Sequence, residues 1–219
     1  MAWDSTWEDV FTSQEWGKYP GEDVIRFIAR NFYHVAERKD IKILEVGSGT
    51  GANLWFIARE GFSVFAIEGS PTAVNKAIQR LDLEVPEWVG EIRCGDFTKL
   101  PYSDCSFDAV IDVEAITHNP FDDAVNIYSE IHRVLKPRGK LYSRTFAKGT
   151  LGDETGKVLS HNCYLPEVGP IAGKGLTRFT DESEIPALLK LFSKIDFGDI
   201  SRTENKQLIT KEWCITATK

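Results

Sequence analysis

The chain has 219 residues, 26 of them Lys or Arg and 33 Asp or Glu, for a formal net charge of −7. Its length and 42% hydrophobic content suffice to bury one full core, so a single domain is the default expectation. The acidic balance argues against broad binding along a nucleic-acid backbone, and no apolar run reaches membrane-spanning length, so neither nucleic acid nor a membrane is an expected partner.

The opening MAWDSTWEDVF is acidic and aromatic, unlike a signal or transit peptide, and a cytoplasmic protein is expected. Trp3, Trp7, Trp16 and Tyr19 precede the first predicted helix. They suit a structural latch or a lid over a ligand, and the lid is the favoured reading for residues 1–20, with Trp16 and Tyr19 nearest the site. Residues 21–36 place Val24, Ile25, Phe27, Ile28, Phe32 and Val35 at largely helical spacing, and IKILEV at 41–46 is a short β-rich run. After a glycine turn the pattern predicts a helix over 52–59, a strand over 62–67, and a helix over 71–81 with Ser70 as N-cap. Strands follow near 91–94 and at 107–113, then a helix over 122–135 and a strand over 140–146. Such alternation implies crossovers and a mainly parallel sheet covered on both faces.

Residues 147–178 are rich in Gly and Pro and too long for an ordinary connector, which marks an insertion or substrate lid. A helix over 181–192 and two strands, 194–200 and 207–218, close the chain. A short polar loop joins only antiparallel neighbours, so the last strand is expected to run against the others.

The turn after the first strand, Gly47-Ser48-Gly49-Thr50-Gly51, carries most of the functional information. A helix beginning near Ala52 would aim its terminal N–H groups at a ligand over the strand's carboxyl end. A P-loop would need Gly-Lys-Ser/Thr, and Gly51-Ala52-Asn53 lacks it. Gly47, Gly49 and Ala52 formally meet the dinucleotide fingerprint, with Glu68 as the acid about 20 residues on. That motif alone does not separate a dinucleotide from another adenosine-bearing cofactor.

Three further features bear on the choice. Glu45 extends the turn to E-x-G-x-G-x-G, CGDFTKLP puts Asp96 and Phe97 after the third strand, and FDAVIDVEAITH and EIHRVLKPRGKLYS follow in order. Together these resemble the class I S-adenosylmethionine-dependent methyltransferases, over about Ile41 to the final strand and most specifically over 43–146. The resemblance implies a Rossmann-like three-layer α/β sandwich whose seven-stranded, mainly parallel sheet has an antiparallel last strand. It implies S-adenosyl-L-methionine as cofactor, with Glu45, Gly47, Gly49 and Gly51 at the turn, Glu68 on the ribose, Asp96 and Phe97 at the adenine, and Asp112 and Val113 beside the methionine end. Tyr19 joins this set through the lid. Arg138 replaces a glycine of the family's common LKPGG element.

Methyl transfer from a sulfonium is an in-line displacement, so alignment and desolvation dominate, and a base is needed only where the nucleophile must lose a proton. His118, just beyond the fourth strand, is the first candidate base and Glu114 the second; a loop-shaping role for His118 competes equally. Arg144, Lys148, Lys157, Lys174 and Arg178 form a prospective basic rim that would suit a carboxylate or phosphate on the acceptor, against a competing reading as a solvated loop face. A small molecule is the expected acceptor, since neither an Asn/Asp-Pro-Pro-Tyr/Phe element nor a nucleic-acid module is visible. His132 and His34 read as helix residues without a chemical role. Cys94, Cys105, Cys163 and Cys214 are widely separated and read as reduced thiols, and His161 with Cys163 lacks a second ligand pair, so no metal site is expected. The competing functions are an NAD(P)-dependent oxidoreductase and a non-catalytic interaction protein with a methyltransferase fold.

Overall fold

A computed structural model describes residues 3–219; Met1 and Ala2 of the expected N-terminal lid lie outside the described residues. The main sheet contains β1 (Lys42–Val46), β2 (Ser63–Glu68), β3 (Gly90–Cys94), β4 (Phe107–Val113), β5 (Leu135–Phe146), β9 (Lys194–Glu204) and β10 (Gln207–Thr218). Its order is β3-β2-β1-β4-β5-β10-β9, and β10 runs antiparallel to both neighbours while the remaining pairs are parallel. The expected mixed sheet with a reversed last strand is therefore present. The hairpin that reverses it turns through Asn205 and Lys206, both at positive φ, the backbone that a two-residue connection between twisted strands requires.

Two layers of helix cover the sheet because successive strand residues point to opposite faces. Ile43, Ala109 and Ile111 pack with α2 (Glu22–Phe32), α3 (Ala52–Arg59) and the end of α4 (Pro71–Glu84). Their chain neighbours Leu44 and Val110, with Leu141 of β5, pack instead with α5 (Phe121–Val134) and the short α6 (Ile185–Leu188). Ser70 caps α4 as expected, its Oγ accepting from Ala73 N–H at 3.0 Å, with Pro71 at the first helical position.

Four departures have local causes. The helix expected over 181–192 shrinks to a 3₁₀ turn and the four residues of α6, yet Ile185, Leu188, Leu189 and Phe192 all reach the core, so the apolar spacing was obeyed without a continuous hydrogen-bond ladder. β5 begins at Leu135 rather than 140, with an irregularity in its pairing to β4 and Arg138 at φ +66°, a conformation that suits the glycine usual there. The 147–178 segment holds β6 (Lys157–Ser160), β7 (Cys163–Leu165) and β8 (Thr177–Arg178), a small antiparallel sheet. Finally, the N-terminal segment contains α1 (Thr6–Ser13), which sequence reasoning did not place. Glu8 of α1 accepts hydrogen bonds from the Ser70 and Thr72 hydroxyls, and Lys76 Nζ donates to Phe11 O at 2.7 Å, so both ends of α1 are tied to α4.

Candidate active site

A cavity of about 350 Å³ opens over the carboxyl ends of β1, β2 and β4, within the size range of small-ligand sites. Its floor on one side is the glycine turn. Gly47 has φ +68°, and a Cβ there would collide with the Ala115 side chain; Gly49 has φ +50°, and a Cβ would come within 3.3 Å of the Phe11 ring. The turn is therefore built for residues without a side chain, which lets a ligand lie against its backbone. Gly51, at φ +82°, serves as N-cap of α3 and does not line the cavity.

Two acids face this half. Glu45 Oε1 accepts from Asn53 Nδ2 at 2.6 Å, whereas Oε2 is buried without a partner among the described residues. Burial, reinforced by the Glu68 and Asp112 charges, pushes the Glu45 carboxyl up to about 8 against the bond from Asn53. Glu68, at the end of β2, accepts from Gly49 N–H and Ser70 N–H, each at 2.8 Å. Burial raises its carboxyl above the ordinary range despite these backbone donors.

The other nominated residues divide. Phe97 and Val113 line the cavity, and Tyr19 stands at its rim, 73% exposed and edge-on to Trp55. Asp96 does not line it; its Oδ1 accepts from Thr98 N–H at 2.8 Å and Thr98 Oγ1 at 2.7 Å, holding the turn after β3. Asp112 is also withdrawn. Fully buried, it accepts from Ala115 N–H, Ile116 N–H and Ser143 Oγ, and so shapes the crossing after β4 instead of bordering the cavity. The N-terminal aromatics Trp3, Trp7, Trp16 and Tyr19 all line the cavity, and so does Phe11, which sequence reasoning had not nominated; Trp3 lies directly on Gly69. Trp3, Trp7 and Phe11 recur at intervals of four, and that one-sided helical spacing was a usable signal.

The second half of the cavity lies where β4, β5 and β10 end. His118 is enclosed by Trp7, with ring centroids 4.8 Å apart, and by Phe146 at 6.4 Å. Its Nδ1 lies 2.7 Å from Leu176 O, so Nδ1 carries the hydrogen and Nε2 keeps the basic lone pair. Burial holds the imidazole below its ordinary value, opposed by that carbonyl and by Glu114 and Asp4. Glu114 adopts φ +62° and reaches Arg144 Nη2 with Oε1 at 2.6 Å.

The expected basic rim does not assemble. Arg144 is surrounded by Asp23, Glu114 and Glu212, and fully buried Arg178 donates to Asn119 O and Thr180 Oγ1. Lys148 and Lys157 lie outside the cavity lining, which leaves Lys174 of the five, together with Arg202, which sequence reasoning had not nominated. His161 and Cys163 are separated by their surroundings: His161 faces Glu184 at 3.5 Å from the surface, while Cys163 is buried.

A model described as "Methyltransferase domain" matches residues 44–143, the span that contains the glycine turn, both acids and the strand-four loop. The chain is 34% identical over 131 residues to sterol 24-C-methyltransferase erg-4 of Neurospora crassa, covering 55% of this chain and 32% of that protein. It is 31% identical over 179 residues to methyltransferase GfsG of Streptomyces halstedii, covering 71% and 64% respectively. A solved S-adenosylmethionine-dependent methyltransferase from Methanosarcina mazei shares the fold, with TM-score 0.67 at 22% identity over 87% of this chain and 96% of that one. Residues 44–143 thus carry a methyltransferase domain, in a fold shared with a solved S-adenosylmethionine-dependent methyltransferase. The chain spans about a third of the length of the sterol relative and less than two thirds of GfsG.

For this methyltransferase, the residues present fit the family's cofactor. Glu45 Oε2 and Ser48 Oγ are buried polar atoms without partners at the cavity, suited to the amino and carboxylate ends of a methionine portion. Glu68 is fixed by backbone donors with lone pairs remaining for vicinal hydroxyls. The side-chain-free floor between these acids completes the cradle.

Proposed function

We propose that this methyltransferase transfers a methyl group from S-adenosyl-L-methionine to a small-molecule acceptor, as a single domain acting in the cytoplasm. The observation that carries the reading is the partnerless Glu45 Oε2 beside a glycine floor that side chains would fill. Bound S-adenosylmethionine supplies an electrophilic methyl group on a positively charged sulfur.

The chain's own contribution is placement and dryness. Glu45, Gly47, Gly49 and Glu68 would hold the cofactor, Phe97 and Trp3 would supply flat apolar surface for its base, and Val113 would border its methyl-bearing end. Asp96 supports the adenine side indirectly by fixing the turn that carries Phe97. Trp7, Phe11, Trp16 and Tyr19, with Pro170 and Ile171 of the 147–178 segment, exclude water from above. His118 Nε2 is positioned to take a proton from an acceptor that must lose one, with the carbonyl of Leu176 fixing the ring.

Several of the relatives, the Neurospora crassa protein among them, are named for sterol methylation, which favours a largely apolar acceptor; the aromatic walls of the cavity agree. A carboxylate or phosphate on the acceptor is not favoured, because Arg144 is already occupied by carboxylates. Calorimetric titration with S-adenosylhomocysteine and with NAD tests the reading directly: binding of the former alone is expected, and binding of NAD alone would sink it. His118→Ala should lower turnover about 10²–10⁴-fold with cofactor affinity nearly unchanged. Unchanged turnover would return His118 to a loop-shaping role.

A further inference from the structure

The acceptor half of the cavity meets a cluster of carboxylates gathered around one guanidinium. Asp23 of α2, Glu114 after β4 and Glu212 of β10 converge on the single guanidinium of Arg144, at 3.1, 2.6 and 3.2 Å. Arg202, on β9 opposite Thr210, also lines the cavity. Asp23 lies outside the cavity lining, which leaves Glu114 and Glu212 facing the cavity with Arg144 and Arg202. Burial holds His118 below its ordinary value, and Asp4 and Lys174, one charge of each sign, also line the cavity and act on it.

Burial first, then Glu114 alongside, pushes the Glu212 carboxyl up to about 8, while Arg144 keeps Glu114 ionised. Glu212 is only 1% exposed, lines the cavity, and its Oε2 meets no N–H or O–H donor among the described residues. Two residues earlier on the same strand, Thr210 repeats the situation: 8% exposed, cavity-lining, with Oγ1 buried and partnerless. Strand periodicity puts both side chains on one face of β10. Unsatisfied polar atoms at this depth cost stability unless something fills them.

We infer that Glu114, Thr210 and Glu212 form an acceptor subsite for a basic amine, whose ammonium supplies three N–H donors to these oxygens. An ammonium has three donors and no acceptor, matching a carboxylate pair and a hydroxyl. On binding, it displaces the proton of Glu212 and leaves Arg144 undisturbed. An anionic acceptor would face Glu114 and Glu212, and a neutral alcohol would supply a single O–H donor. Phe146, opposite Glu212 across the β5–β10 ladder, and Trp7 also line the cavity, aromatic surface of the kind that favours cations carrying apolar substituents. This inference rests on the methyl-transfer reading for calling the subsite an acceptor site, but the chemistry it assigns is tested by binding alone.

The test uses three probes of similar shape, 2-phenylethylamine, 2-phenylethanol and phenylacetate, titrated into the full chain with and without S-adenosylhomocysteine and followed by calorimetry. The amine should bind about tenfold or more tightly than the alcohol, and phenylacetate more weakly than both. Glu212→Gln should lower amine affinity about tenfold or more while S-adenosylhomocysteine affinity stays within about twofold. Thr210→Val, which keeps the side-chain shape, should lower amine affinity several-fold, and guards against a Glu212 variant that fails to fold. The amine subsite is overturned if the amine binds no more tightly than the alcohol, or if both folded variants keep its affinity. Failure of S-adenosylhomocysteine to bind while amine selectivity persists would instead overturn the methyl-transfer reading.

Discussion

Gly47 and Gly49 share one turn but answer to different neighbours. At Gly47 a methyl group would meet the Ala115 side chain inside the folded domain, and the backbone sits at φ +68°. Gly47→Ala should therefore cost about 2 kcal/mol or more of folding stability, read by urea denaturation. Gly49→Ala meets only the edge of the Phe11 ring at 3.3 Å, so it should cost about 1–2 kcal/mol in backbone strain and loosen α1, seen as faster hydrogen exchange over residues 6–13. The family resemblance nominates Glu68 for a ribose, but its hydrogen bonds to the glycine turn and to Ser70 are not legible in the sequence. Because Gly49 N–H and Ser70 N–H both depend on it, Glu68→Ala should lose about 1–3 kcal/mol of stability besides weakening S-adenosylhomocysteine. An Ala variant with wild-type denaturation and wild-type affinity would contradict both roles.

Among the elements, α1 has the most bearing on access to the site. Its Glu8 carboxylate sits at the N-terminus of α4, and hydrogen bonds from Ser70 and Thr72 hold it below the ordinary carboxylate range. A negative charge there also meets the positive end of the α4 dipole. Glu8→Gln should weaken this docking and speed exchange across α1 while the central strands keep their protection; exchange unchanged in α1 would mean that aromatic packing alone holds the cover. S-adenosylhomocysteine should slow exchange in α1 and in 169–175 together, because Phe11, Trp16, Ile171 and Lys174 line the same cavity. The strands and α2 to α5 were legible because their apolar residues alternate at clean periods. The small β6-β7-β8 sheet was not, since four-, three- and two-residue strands carry too few positions for a period to register.

At the scale of the molecule, buried acids set a pH dependence. Glu45 and Glu212 are each raised by burial from 4.5 to about 8. Between those values the folded state binds more protons than the unfolded chain, so their contribution to stability falls as pH rises and levels off above about 8. His118, lowered by burial, works the other way, but only below its ordinary value of 6.5. From pH 6.5 to 8 the melting temperature without ligand should therefore fall, and Glu45→Gln with Glu212→Gln should flatten that slope. A wild-type melting temperature that rises across this window would refute the burial argument for both acids.

The order of strands and helices, the reversed last strand, the glycine turn and the acids at the ends of β1 and β2 follow from the sequence, because periodicity and turn chemistry are local properties written into consecutive residues. The acceptor half of the cavity is different in kind. Asp23, Glu114, Arg144 and Glu212 lie up to 189 positions apart in the chain, and no local pattern relates them. Arg144 and Arg178 looked like free cations until packing showed one ringed by carboxylates and the other fully buried. Asp112 looked like a cavity residue until three donors from two elements turned it inward. Which charges meet, and which polar atoms remain partnerless for a ligand, depends on long-range contacts that only the folded sheet brings within a few ångströms, where Coulomb and desolvation terms become large.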